Sequence, residues 1–357
     1  MNSSRNSTLE LLRIISMIMV IGLHYMNKTI GGGLNTELKV NIVSSHMIES
    51  ICITSVNVFV LISGYFMQSA KTTGLKKAVD LYLVMLFYNL SCFGIATATG
   101  QYPFSVRELI FAFFPFFTGL KWFLETYMIL LLIAPFINKL LNCLNKSSHG
   151  FLIFIQIMLF SIWPSFLPSA PILDGGYGIT NFITLYFISS YIRKYISFPH
   201  TKKTRLISLA VFAASCSAIA VSSFLPYFSQ RAWDYCYIFN ILASAALFVF
   251  FLDLPKTNVK IVNAIAGTTF GVYILHSMLY FQPFIYHSIL HTERYYNSEY
   301  QTLHFLLSIV LLFAVCAIID YCRQRIWNAT VKKLLDKSML IKMENDWENS
   351  IMNEGSR

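Results

Sequence analysis

Residues 9–25 read LELLRIISMIMVIGLHY, a largely apolar stretch that nevertheless carries Glu10, Arg13 and His24. Eleven residues separate Arg13 from His24, a rotation of about 1100° on an α-helix, which is about 20° beyond three full turns. The two side chains therefore share one helix face, about 16 Å apart along the axis. Glu10 sits three residues before Arg13, within reach of an ion pair. Histidine, with a reference pKa near 6.5, can take a proton or act as a nucleophile at neutral pH. A guanidinium suits recognition of a phosphate. Ionisable groups are costly in hydrocarbon, so all three are expected to face a bundle interior or a wet cavity. The plain alternative is that Glu10 and Arg13 mark one headgroup boundary and His24 the other, each reaching for water.

Further polar residues are embedded in apolar surroundings. Asn57, Ser63, Gly64 and Tyr65 lie in SVNVFVLISGYF, and Trp122, Glu125, Tyr127 and Asn138 mark the stretch from 120 to 141. His276 sits in GVYILHSML, and Asp320 near the end of the last apolar run. The Ser63–Gly64 pair fits close helix packing, and Trp122 alone fits an interfacial aromatic belt. Glu125 and His276 are titratable and flanked by apolar residues, the usual mark of a functional position inside a membrane.

The elements that must position these groups follow from composition. Of 357 residues, 56% are hydrophobic and only 12% charged, with a mean hydropathy of +0.58. Soluble domains carry about 25% charged residues, so a soluble globular chain is excluded. Apolar runs of spanning length recur at about 9–26, 47–67, 79–99, 120–141, 150–167, 178–193, 205–225, 235–253, 264–290 and 303–322. The expected fold is an all-α, polytopic transmembrane helical bundle of about ten spans, with FAFFPFFTG at 111–119 too short to cross and read as re-entrant or interfacial. Of the 27 Lys and Arg residues, 20 fall on the side of the N-terminus, 6 on the opposite side, and Arg13 lies within a span. This asymmetry predicts cytoplasmic N- and C-termini and accounts for the net charge of +10 without nucleic acid. Arg13 interrupts the first run and no small-residue cleavage site follows, so this run is expected to stay in the mature protein. The seven cysteines show no paired spacing, and neither a metal site nor a disulfide framework is expected.

Taken in order, several motifs resemble the membrane-bound acyltransferase 3 family: ELLRIISMIMVIGLHY, VNVFVLISGYF, the LKK cluster after it, WFLETYMILLLIAPFIN, YFISSYIRKY and GVYILHSML. The resemblance implies an enzyme domain over residues 1–325 and a polar cytoplasmic tail over 326–357, in a multi-pass protein of the plasma or inner membrane. It implies transfer of an acyl group, most often acetyl, from cytoplasmic acyl-CoA to a hydroxyl of a cell-surface or lipid-linked polysaccharide, with no bound cofactor. By the same resemblance His24 and Arg13 are the catalytic pair, and Lys76 and Lys77 a donor-binding cluster. Glu10, Asn57, Ser63, Trp122, Glu125, Tyr127 and His276 stand as supporting polar residues of the bundle. Tyr102, Phe104, Trp233, Tyr235, Tyr295 and Tyr296 are placed to stack on sugar rings or to anchor at the interface. The competing reading is a transporter or flippase for a glycan or small anion, although no internal repeat of the kind common in such proteins is visible.

Overall fold

The computed structural model describes residues 5–68, 74–117, 121–170 and 172–331; Lys71 and most of the expected tail, from 332 onward, lie outside the described residues. Among the described residues there is no strand. The chain forms α1 (Ser7–Met26), α2 (Lys39–Cys52), α3 (Thr54–Met67), α4 (Leu75–Ala98), α5 (Val106–Phe113), α6 (Trp122–Cys143) and α7 (Lys146–Ile157). It continues with α8 (Trp163–Phe166), α9 (Ile179–Tyr195), α10 (Lys202–Ser223), α11 (Ile238–Asp253), α12 (Lys260–Gly267), α13 (Thr269–His276) and α14 (Gln301–Ala329). Among the described residues, eight helical segments are long and apolar enough to cross a membrane. The two remaining runs read from the sequence correspond to α9, with 17 residues, and to a broken segment containing α12 and α13.

Three differences from the expected spans have local causes. The second span begins at Lys39 rather than near 47 and continues through a break at Ile53 to Met67. Its first turns are polar but satisfied: Asn41 donates to the carbonyls of Tyr296 and Ser298, and Ser45 to Gly33 and Gln301. Residues 158–162 wind as a π-helix between α7 and α8, just before Pro164, which has no N–H to continue the ladder. The run at 264–290 is not one helix. Thr268 and Thr269 turn their hydroxyls onto the carbonyls of Ile265 and Ala266, and the Ser277 carbonyl accepts from Lys121 Nζ at 2.7 Å instead of from the next helical turn. The short stretch around 111–119 forms α5 and a 3-10 turn at Pro115–Phe117, with Ala112 packed against α4 and Phe111, Phe113 and Phe114 facing outward.

Helix α1 occupies the centre, packed against α2, α3, α11, α12, α13 and α14. Its start is capped by the Asn6 side chain and tied by Ser7 and Thr8 to the carbonyls of Val259 and Pro255. Its end is closed by the triple-glycine loop, in which the Gly31 amide donates to the His24 carbonyl and the Gly32 amide to that of Asn27. Gly32 has φ +76°, and a Cβ on Gly31 would lie 2.2 Å from the Tyr25 carbonyl oxygen. Gly64 lets α3 press on α9, since a Cβ there would meet Ser189 Oγ at 2.3 Å. Asp320 locks α14 to α4 by accepting from Tyr88 and Arg323. Because the obstruction at Gly31 is backbone, Gly31→Ala should lower stability by about 1–3 kcal/mol or more. Size-exclusion homogeneity and the thermal unfolding midpoint of detergent-purified protein report it, and an unchanged midpoint would show that the loop can move aside.

Candidate active site

One continuous cavity of about 1330 Å³ runs beside α1 from Arg5 at its start to Asn27 and Lys28 at its end. Arg13, Met17, Val20, His24 and Asn27 form the α1 wall, a stripe that advances three or four residues at a time. Across from it stand Phe59 and Ser63 of α3, Lys77 and Met85 of α4, and Trp122, Phe123 and Tyr127 of α6.

The end near the N-terminus is cationic. Arg13 Nη1 is 2.6 Å from Glu10 Oε2, and Glu10 is buried behind the wall rather than lining it. Lys77 Nζ donates to the Tyr127 hydroxyl at 3.1 Å, and Tyr127 is hydrogen bonded to Ser63. Arg5 completes this end; Lys76 is exposed and off the cavity wall.

Deeper in, the rings of His24 and His276 lie 4.8 Å apart between centroids. His276 Nδ1 is 2.6 Å from the Val272 carbonyl, which can only accept, so Nδ1 carries the proton and Nε2 presents its lone pair. His276 Nε2 and His24 Nδ1 are both buried and have no hydrogen-bond partner. Beside them Lys121, also buried, donates to the Ser277 carbonyl and hydroxyl, and its ammonium stands 5.6 Å from the Tyr273 ring centre. Lys121 precedes α6 by one residue, and in the sequence it counts only as a loop charge; the signal that could single it out is its place directly before the WFLETY segment.

The far end is aromatic. Trp122, Tyr177 and Tyr235 touch one another with centroids 4.5 to 5.2 Å apart, and Trp233 and Tyr235 are the only two of the six proposed stacking residues on the cavity wall. Tyr295 instead stacks on His304 at 3.8 Å, and Tyr102 packs against Tyr280. Asn57 is fully buried away from the cavity, where it donates to the Tyr235 carbonyl at 2.8 Å and accepts from Asn181, which also reaches the Gly176 carbonyl. It positions the two loops that supply Tyr177 and Tyr235. Glu125 is half-buried behind the wall, near Tyr273.

A family model described as an acyltransferase domain matches residues 6–329, nearly the whole chain. The chain belongs to the acyltransferase 3 family. No curated protein and no solved structure matches it. Membership makes this all-helical bundle a membrane acyltransferase. Within this acyltransferase, Asn57→Leu should leave the Tyr235 carbonyl without its donor and cost about 1–3 kcal/mol. Thermal unfolding measures that loss, and an unchanged midpoint would show that the Tyr235 carbonyl finds another donor.

Proposed function

We propose that this acyltransferase moves an acyl group, acetyl first among them, from acyl-CoA to a hydroxyl of a cell-surface or lipid-linked polysaccharide. The observation that carries the reading is the single cavity that joins a cationic end at Arg5, Arg13 and Lys77 to the paired imidazoles of His24 and His276. The charge asymmetry of the loops favours a cytoplasmic cationic end in a plasma or inner membrane, where acyl-CoA is available. Donor phosphates are held by Arg13 and Lys77, with Lys76 adding positive charge at the mouth, and the pantetheine arm runs along the α1 stripe toward His24.

At His24 an imidazole nitrogen takes the acceptor hydroxyl proton while the oxygen attacks the thioester carbonyl. A C–O bond forms, the C–S bond breaks, and the departing thiolate recovers the proton from the imidazolium. Lys121 supplies positive charge where the thioester oxygen becomes negative. His276, fixed by its bond to the Val272 carbonyl, packs its ring 4.8 Å from that of His24 and walls that imidazole on one side.

Purified protein in nanodiscs should turn over labelled acetyl-CoA. His24→Ala should lower that turnover by about two to four orders of magnitude with the unfolding midpoint unchanged. Arg13→Ala should raise the donor KM as well as lower the rate. Near wild-type turnover in His24→Ala would remove histidine from the chemistry, and solute counterflow in liposomes without coenzyme A would favour transport instead.

A further inference from the structure

Acyl transfer at His24 makes no use of Glu49. This residue lies on α2, is only 8% exposed, lines the cavity at its aromatic end, and leaves Oε2 without a hydrogen-bond partner. A carboxyl group so placed is costly unless something supplies donors to it. Cavity-lining neighbours on the same end are Trp122, Tyr177, Trp233 and Tyr235, with His46 one turn earlier on α2, its ring centre 5.9 Å from that of Trp233. The ring planes of Tyr177 and Tyr235 are tilted 61° and 33° from that of Trp122, so they form a corner with flat apolar faces turned in more than one direction.

The corner is rigidly built. The Tyr235 amide donates to the Gly175 carbonyl at 2.7 Å, and a Cβ on Gly176, at φ +79°, would meet the Cys236 nitrogen at 2.4 Å. Thr126 holds the Tyr177 carbonyl from α6. With the adenine and phosphates of acyl-CoA placed at the cationic end, no remaining part of the donor has a flat face and hydrogen-bond donors that call for a buried acceptor oxygen against aromatic rings. A pyranose ring does: its C–H face stacks on indole or phenol rings while its ring hydroxyls donate to a carboxyl.

We infer that Glu49, with Trp122, Tyr177, Trp233 and Tyr235, forms a binding subsite for one uncharged hexose or N-acetylhexosamine unit of the acceptor. The subsite rests on the acyl-transfer reading for its role but not for its existence as a sugar site. Glu49 accepts from ring hydroxyls, whereas a hexuronate would bring its own carboxylate into a buried corner whose carboxyl and aromatic faces offer that carboxylate no partner. Specificity for uncharged units thus comes from the cost of burying a second carboxyl group and from one stacking corner.

The test uses full-length protein in nanodiscs and three probes: methyl glucoside, the methyl glycoside of N-acetylglucosamine, and methyl glucuronide. Binding is read by saturation-transfer NMR and tryptophan quenching, and acetyl-CoA turnover is measured separately. The two uncharged glycosides should bind and the glucuronide should bind at least tenfold more weakly. Glu49→Gln, which keeps size and shape, should weaken the uncharged glycosides about tenfold and narrow the gap to the glucuronide, with acetyl-CoA hydrolysis in the absence of acceptor unchanged. Trp122→Leu should abolish binding of all three. Equal binding of glucuronide and glucoside, unaltered binding in Glu49→Gln, or no binding of any probe overturns the subsite. Donor turnover that depends on His24 without any glycoside binding leaves acyl transfer standing and removes only the subsite. Glycoside binding of the expected pattern without donor turnover does the reverse.

Discussion

Hydrocarbon offers no partner to a guanidinium, an ammonium or an imidazole, so a helix that carries Arg13 and His24 has to be surrounded by protein on every side that is not wet. This requirement explains why α1 is central, with six other helices against it, and why its polar stripe opens onto a cavity instead of lipid. Three of the cations along that cavity also have a local counterpart. Arg13 has Glu10, Lys77 has the Tyr127 hydroxyl, and Lys121 has the carbonyl and hydroxyl of Ser277.

Lys121 couples this electrostatic demand to backbone irregularity. Its ammonium takes a carbonyl that a continuous helix would have used internally, and the chain accordingly breaks after His276. The break sets His276 at a helix end, next to His24 and buried from lipid. Irregular backbone is tolerated at this depth because it lies inside the bundle beside the cavity. The aromatic end follows a similar logic. Tyr177 and Tyr235 come from loops, and buried Asn57 and Asn181 satisfy the loop carbonyls that would otherwise be stranded. Polar residues that read as possible site groups thus divide into those that touch the cavity and those that hold its walls.

Helical periodicity alone makes the Arg13–His24 stripe legible, because both groups belong to one unbroken helix and 3.6 residues per turn leaves no freedom about their relative azimuth. The role of Trp122 is less legible. As an isolated residue near a span boundary it matches an interfacial belt, and only its contacts with Tyr177 and Tyr235, distant in the chain, turn it into part of a wall. Asn57 and Ser63 look alike in the sequence, yet Ser63 faces the cavity and Asn57 does not, since α3 turns the two side chains to different neighbours. Glu49 lies near the start of the apolar run at 47–67, where a carboxyl reads as a boundary charge until the helix extends back to Lys39 and packing buries it.

Composition and the geometry of single helices are enough to fix the membrane-spanning all-helical class and the shared face of Arg13 and His24. Each of these depends on residues close together along the chain. The meeting of His276 with His24, the burial of Lys121 beside them and the placing of Glu49 against an aromatic corner arise only when the helices pack. Those relations join residues separated by tens to hundreds of positions, and the angle at which one helix presents its side chains to another is set by packing, which no single segment encodes.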